Sequence, residues 1–136
     1  MKMILNDPKT GLSYQQEVPK EKNAFLLTKH IGEKLTGDLL GLPGYELLLT
    51  GGTDSNGFPM KKGITAFLSS RVLSKGTGVR GLKKGQSIKK TVSLGAVHEK
   101  TAQINLKIEK IGSKSLDELG FKQTPKEQKE EKKAKK

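Results

Sequence analysis

Apolar and polar residues alternate in several stretches of the chain, and each such stretch predicts a strand. In KTAQINLKIEKIG, Ala102, Ile104, Leu106 and Ile108 fall on one face and Gln103, Asn105, Lys107 and Glu109 on the other, the period of two that a half-buried strand requires. Near the start, Leu12, Tyr14, Gln16 and Val18 alternate with Ser13, Gln15 and Glu17. The turn ahead of them, Asp7-Pro8-Lys9-Thr10-Gly11, offers a fixed φ, an Asx-type acceptor and a final glycine, so KMILNDPKTGLSYQQEV reads as a hairpin. SIKKTVSLGAV sets Ile88, Val92, Leu94 and Ala96 on one face, interrupted by Lys90. With the strand after it, this segment predicts a small antiparallel sheet closing on itself.

Helical spacing is rarer. Ala24, Leu27, Ile31 and Leu35 recur at helical intervals behind Asn23, a predicted N-cap, and Gly32 predicts that the helix stops near His30. Ser115 and Glu118 have capping-box spacing ahead of Gly120, which predicts one brief helix. Gly37, Gly41, Pro43 and Gly44 punctuate the chain before a strand around Tyr45 to Leu49. The expected fold is mostly β: a small antiparallel, barrel-like sheet domain over residues 1–121 with one or two short helices. A flexible, disordered, lysine-rich tail over 122–136 follows, too poor in apolar residues to pack.

Composition narrows this further. A chain of 136 residues has room for one compact domain. With 32% hydrophobic residues and no Trp, its core is thin enough for a partner to complete. No apolar run reaches the ~18 residues of a membrane span, and Pro8 interrupts the opening segment before it could serve as a signal peptide. The expectation is an intracellular protein away from membranes. Without cysteine there are neither disulfides nor thiolate zinc sites.

The net charge of +12 is unevenly placed. Residues 61–100 carry 10 Lys/Arg against a single acid, Glu99, and residues 122–136 carry 7 against 3, whereas the rest of the chain is nearly balanced. An almost acid-free block repels itself unless a polyanion neutralises it, and solubilising lysines usually come interleaved with acids. Nucleic acid is the natural complement. The tail reads equally well as an inert solubilising end or as a phosphate-binding arm.

Enzymatic motifs fail on inspection. Gly76 to Gly81, GTGVRG, spells G-x-G-x-x-G, but Gly85 falls where the required helix would run. Leu82 follows Gly81 where a phosphate loop needs lysine. Asp54 and Asn56 open like a calcium loop, yet Phe58, Pro59 and Thr65 occupy ligand or turn positions. His30 and His98 have no partner ligands in sequence for a zinc site, and the acids lie away from the basic block, so no catalytic residue, cofactor, metal or small-molecule substrate is expected. LLLTGGTDSNGFPMKKG remains. Gly51, Gly52 and Gly57 allow positive φ and a backbone that approaches its surroundings closely, Asp54 and Asn56 can bond their own main chain, and Phe58-Pro59-Met60 offers an apolar plug. This is either a stiff corner aiming Lys61 and Lys62 outward or an ordinary hairpin loop with a buried Phe.

LTGGTDSNGFPM, Leu49 to Met60, resembles the signature of the archaeal and eukaryotic small-subunit ribosomal proteins of the S6e family: aliphatic, small, Gly-Gly, any, Asp, two of any, Gly, any, Pro-Met. DPKTGLSYQ, LLGLPGYELLLTGG, LSKG at Leu73 to Gly76, and AQINLKI are similar to the archaeal members, so the likeness covers roughly residues 1–112. The resemblance implies a non-enzymatic constituent of the small ribosomal subunit in the cytoplasm, a mostly-β domain that binds ribosomal RNA among neighbouring ribosomal proteins. The other reading is a free-standing basic nucleic-acid-binding or RNA-chaperone protein acting off the ribosome. The RNA-contact candidates are Lys61, Lys62, Lys75, Arg80, Lys83, Lys84, Lys89 and Lys90, with Gly51, Gly52, Asp54, Gly57, Pro59 and Met60 as a scaffolding loop. Lysines replace most of the family's arginine-dense run after SKG, and the segment before LSKG is about one residue short, so Arg71 is assigned no counterpart. With 4% aromatic residues, base stacking is expected to be a minor mode.

Overall fold

A computed structural model of the chain describes residues 1–65, 67–74, 76–114, 116 and 118–123; of Lys20, Leu73, Ser74, Lys122 and Gln123 it describes the backbone alone. The opening hairpin forms as its alternation predicts, with β1 (Lys2–Asn6) antiparallel to β2 (Ser13–Glu17). Asp7 builds the turn: its carboxylate accepts from the Lys9 N–H and the Thr10 hydroxyl, both at 2.9 Å. Its carbonyl accepts the Gly11 N–H.

The helix differs from its prediction at both ends. Helix α1 spans Lys20–Leu26 behind Pro19, with no side-chain cap, so Asn23 lies inside it and is no N-cap. It stops well before His30 because Thr28 takes a positive φ of 69°. There the chain turns to pair with residues 95–97: Thr28 N–H donates to Val97 O, Val97 N–H to Lys29 O, and Ile31 N–H to Gly95 O. Those sheet-like bonds replace further helical turns. Among the described residues, a 3₁₀ turn at Asp38–Leu40 is the second short helical element. The brief helix expected at Ser115 falls on Ser115 and Asp117, which lie outside the described residues; Glu118–Gly120 form a turn after which the Phe121 N–H donates to Leu116 O.

The remaining strands are β3 (Lys34–Thr36), β4 (Glu46–Asp54), β5 (Ser69–Ser74), β6 (Ile88–Ser93), β7 (Thr101–Lys110) and β8 (Lys122–Gln123). They make a six-stranded sheet in the order β3-β4-β7-β1-β2-β8 and a separate β5-β6 ribbon. The mostly-β expectation holds, with two corrections of detail. The β1–β7 pair is parallel, so the sheet is mixed. And β6 does not pair with β7: the stretch Gly95–Val97 between them is drawn instead to residues 28–31.

Burial explains the arrangement. Met3 and Leu5 of β1, Leu47 and Leu49 of β4, and Ile104, Leu106 and Ile108 of β7 belong to one cluster that also takes in Tyr14, Leu26, Leu42, Met60 and Phe121. Each buried aliphatic side chain contributes roughly 1.5–3 kcal/mol relative to exposure. Register shifts along β4–β7 bend the two strands against each other. The sheet reaches Lys122 and Gln123, which the sequence reading placed in the tail; the rest of that tail, 124–136, lies outside the described residues.

Candidate nucleic-acid interface

The Leu49–Met60 signature is a strand end, a turn and a return, not one loop. Gly51, Gly52 and Asp54 lie within β4, which runs straight through the glycine pair. Of the three glycines, Gly57 takes the positive φ, at 84°. Gly52 makes the close backbone approach: a Cβ there would lie 2.4 Å from Gln103 O and 2.7 Å from Met60 Sδ. The buried Asp54 fastens the turn. Its Oδ1 accepts from the Ser55 hydroxyl at 3.1 Å, its carbonyl from the Gly57 N–H, and its own N–H donates to Phe58 O. The Met60 N–H then reaches Gly52 O at 2.9 Å.

The returning arm joins the core sheet to the ribbon. Ser93 N–H donates to Pro59 O at 2.8 Å and Lys61 N–H to Ser93 O at 3.3 Å, across a parallel Met60–Ser93 bridge. The apolar plug is Met60, which is buried in the main cluster. Phe58 is half-buried and outside that cluster.

Between the turn and the ribbon lies a groove of ≈ 800 Å³ lined by Asn56, Gly57, Phe58, Pro59, Arg71, Gly78, Val79, Arg80 and Ile88–Thr91. Arg71, Arg80, Lys89 and Lys90, all exposed, line it, and among the described residues no acid does. The register sets Arg71 opposite Thr91 and Val72 opposite Lys90. Because successive strand residues point to opposite faces, Lys89 shares a face with Arg71 while Lys90 takes the other. Lys90 also lines an adjoining hollow of ≈ 500 Å³ with Arg80 and Gly76. Gly78, part of the G-x-G-x-x-G string, has φ 76° and packs on the signature proline; a Cβ there would lie 2.7 Å from Pro59 Cγ. Gly78 thus shapes a wall of the groove.

The sequence candidates therefore separate. Arg80, Lys89 and Lys90 come together with the Gly57–Pro59 turn. Lys83 and Lys84 are exposed in a turn whose backbone is tied by Gln86. Lys61 is half-buried, and Lys62 turns toward the 30–33 segment, its Nζ 3.5 Å from where a Gly32 Cβ would sit. Lys75 lies outside the described residues. Arg71 was the omission: it sits in the basic block, and charge clustering alone would have included it.

Ion pairing is confined to another region among the described residues. Lys29–Glu33, Lys34–Glu109 and Lys110–Glu46 tie together the β3-β4-β7 end and the segment leading into it. The Lys34–Glu109 hydrogen bond holds the carboxyl below its usual pKa and the amine above. None of these pairs uses a groove cation. Among the described residues no group of three His, Asp or Glu could hold a metal ion, and no helix is long and apolar enough to cross a membrane.

Comparison with known proteins fits the motif. The model of the family described as "Ribosomal protein S6e" matches residues 1–120. The "Small ribosomal subunit protein eS6" of Methanocaldococcus jannaschii is 42% identical over 119 residues, 87% of this chain and 88% of the relative. Proteins with the same description from Archaeoglobus fulgidus and Methanoregula boonei are 38% and 31% identical, covering 90% and 100% of this chain and 95% and 96% of theirs. On the strength of that coverage and of the signature at Leu49 to Met60, this chain belongs to the ribosomal protein S6e family.

Proposed function

We propose that this chain is a structural constituent of the small ribosomal subunit that holds ribosomal RNA through the basic surface centred on the β5–β6 ribbon, working in the cytoplasm alongside neighbouring ribosomal proteins. The observation that carries the reading is the groove lined by Arg71, Arg80, Lys89 and Lys90, which among the described residues holds no acid and whose cations have no ion-pair partners. Such cations displace counterions from phosphates, so they contribute affinity and position with little base readout. Lys83, Lys84, Lys61 and Lys62 extend the cationic surface beyond the groove.

The test is binding of the full chain to small-subunit RNA across a salt series. Replacing Arg71, Arg80, Lys89 and Lys90 with Gln lowers the steepness of log K against log salt by about 3, if each cation neutralises one phosphate. An unchanged slope removes the groove from the interface. Sedimentation separates this reading from a protein that works off the ribosome: a subunit component stays with small subunits through a moderate salt wash, whereas a free-standing binder remains at the top of the gradient.

A further inference from the structure

We propose that the groove holds one unpaired nucleotide of the bound RNA, its base against Phe58 and its flanking phosphates on the surrounding cations; this rests on the RNA-binding reading above. A surface that only neutralises phosphates needs no apolar lining, and this one has it. Phe58, Pro59 and Val79 line the groove half-buried, alongside exposed cations. Ile88 adds a large apolar side chain, 48% exposed, directly before Lys89.

The ring of Phe58 is available because the core does not use it. The neighbouring Met60 fills the space under Gly52, while Phe58 neither belongs to the buried cluster nor packs against it. The wall behind it is held firm by Gly78 against Pro59 and by the Asp54–Phe58 main-chain bond. The groove's volume lies within the few hundred to ~1,000 Å³ typical of small-molecule sites, ample for a nucleoside. A paired A-form helix keeps its bases inward and presents only backbone, so it leaves such an apolar hollow empty; a bulged or looped base fills it. The absence of acid from the lining among the described residues, with four cations present, selects an anionic ligand over an apolar peptide.

The experiment uses the full chain, a fully paired RNA hairpin, and the same hairpin with a single bulged adenosine. Stacking of one base predicts roughly 5- to 150-fold tighter binding of the bulged RNA. F58A brings the bulged RNA down to the paired affinity, and F58Y keeps the preference. With 2-aminopurine at the bulge, fluorescence changes on binding wild-type protein, a readout that stands even if F58A folds poorly. Equal affinity for the two RNAs, or a preference that survives F58A, overturns the proposal. Displacement of the bulged RNA by micromolar adenosine monophosphate would also overturn it, by assigning the pocket to a free nucleotide. Failure to bind either RNA instead sinks the RNA-binding reading itself.

Discussion

Gly52 and Asp7 show how much a single position carries here. Any side chain at Gly52 collides with the Gln103 carbonyl, which belongs to the sheet and cannot move aside, and with the Met60 sulfur. Gly52→Ala is expected to cost about 1–3 kcal/mol, the usual range for overpacking. It should appear as a lower urea midpoint at unchanged slope. At Asp7, burial is the largest single influence and pushes the carboxyl up, but hydrogen bonds from Lys9 and Thr10 together outweigh it and leave the pKa lowered. A lowered carboxylate pKa stabilises the fold above the unfolded value, and the contribution fades as pH falls toward the folded one. The stability gap between wild type and Asp7→Asn should therefore be constant near neutrality and shrink below about pH 4. A gap that instead widens in acid would show that the carboxylate is not the stabilising form. The Asp7 turn was legible from five residues because all its bonds are local. Close approach at Gly52 was legible as well, but not what it approaches, since Gln103 lies 51 positions away.

The same division runs through the elements. Strand β7 and the first hairpin could be read from alternation, because one face of each meets the core. Strand β4 could not be read past Leu49: glycines break the pattern, yet β7 on one side and the returning Pro59–Met60 arm on the other supply its partners. Helix α1 misled for the opposite reason. Helical spacing continues to Leu35, but pairing of residues 28–31 with 95–97 ends the helix early and forces the β-branched Thr28 into the left-handed region. That conformation costs a β-branched residue on the order of 1 kcal/mol. Thr28→Asn, which accepts it more readily, is expected to raise stability by about 0.5–1 kcal/mol, measured as a higher denaturation midpoint. A loss of stability would mean that the Thr side chain holds the turn in some other way.

At the scale of the molecule the charge is divided by purpose. Ion pairs tie the β3-β4-β7 end, while the ribbon carries cations without such partners among the described residues. The free protein should thus be strained by self-repulsion at low salt. Its thermal midpoint is expected to rise by a few degrees as ionic strength goes from roughly 10 to 150 mM, where the Debye length falls from ~30 to ~8 Å. A midpoint that falls instead would mean that attractive pairs dominate. The sequence by itself determined the β class, the cationic middle and, through twelve signature residues, the family, because alternation, charge and motif are all written in consecutive positions. Only the tertiary structure decided which cations share a groove, that Arg71 joins them, and that Phe58 faces it while Met60 turns inward. Those outcomes depend on cross-strand register and on contacts between residues far apart in the chain, which no local pattern encodes.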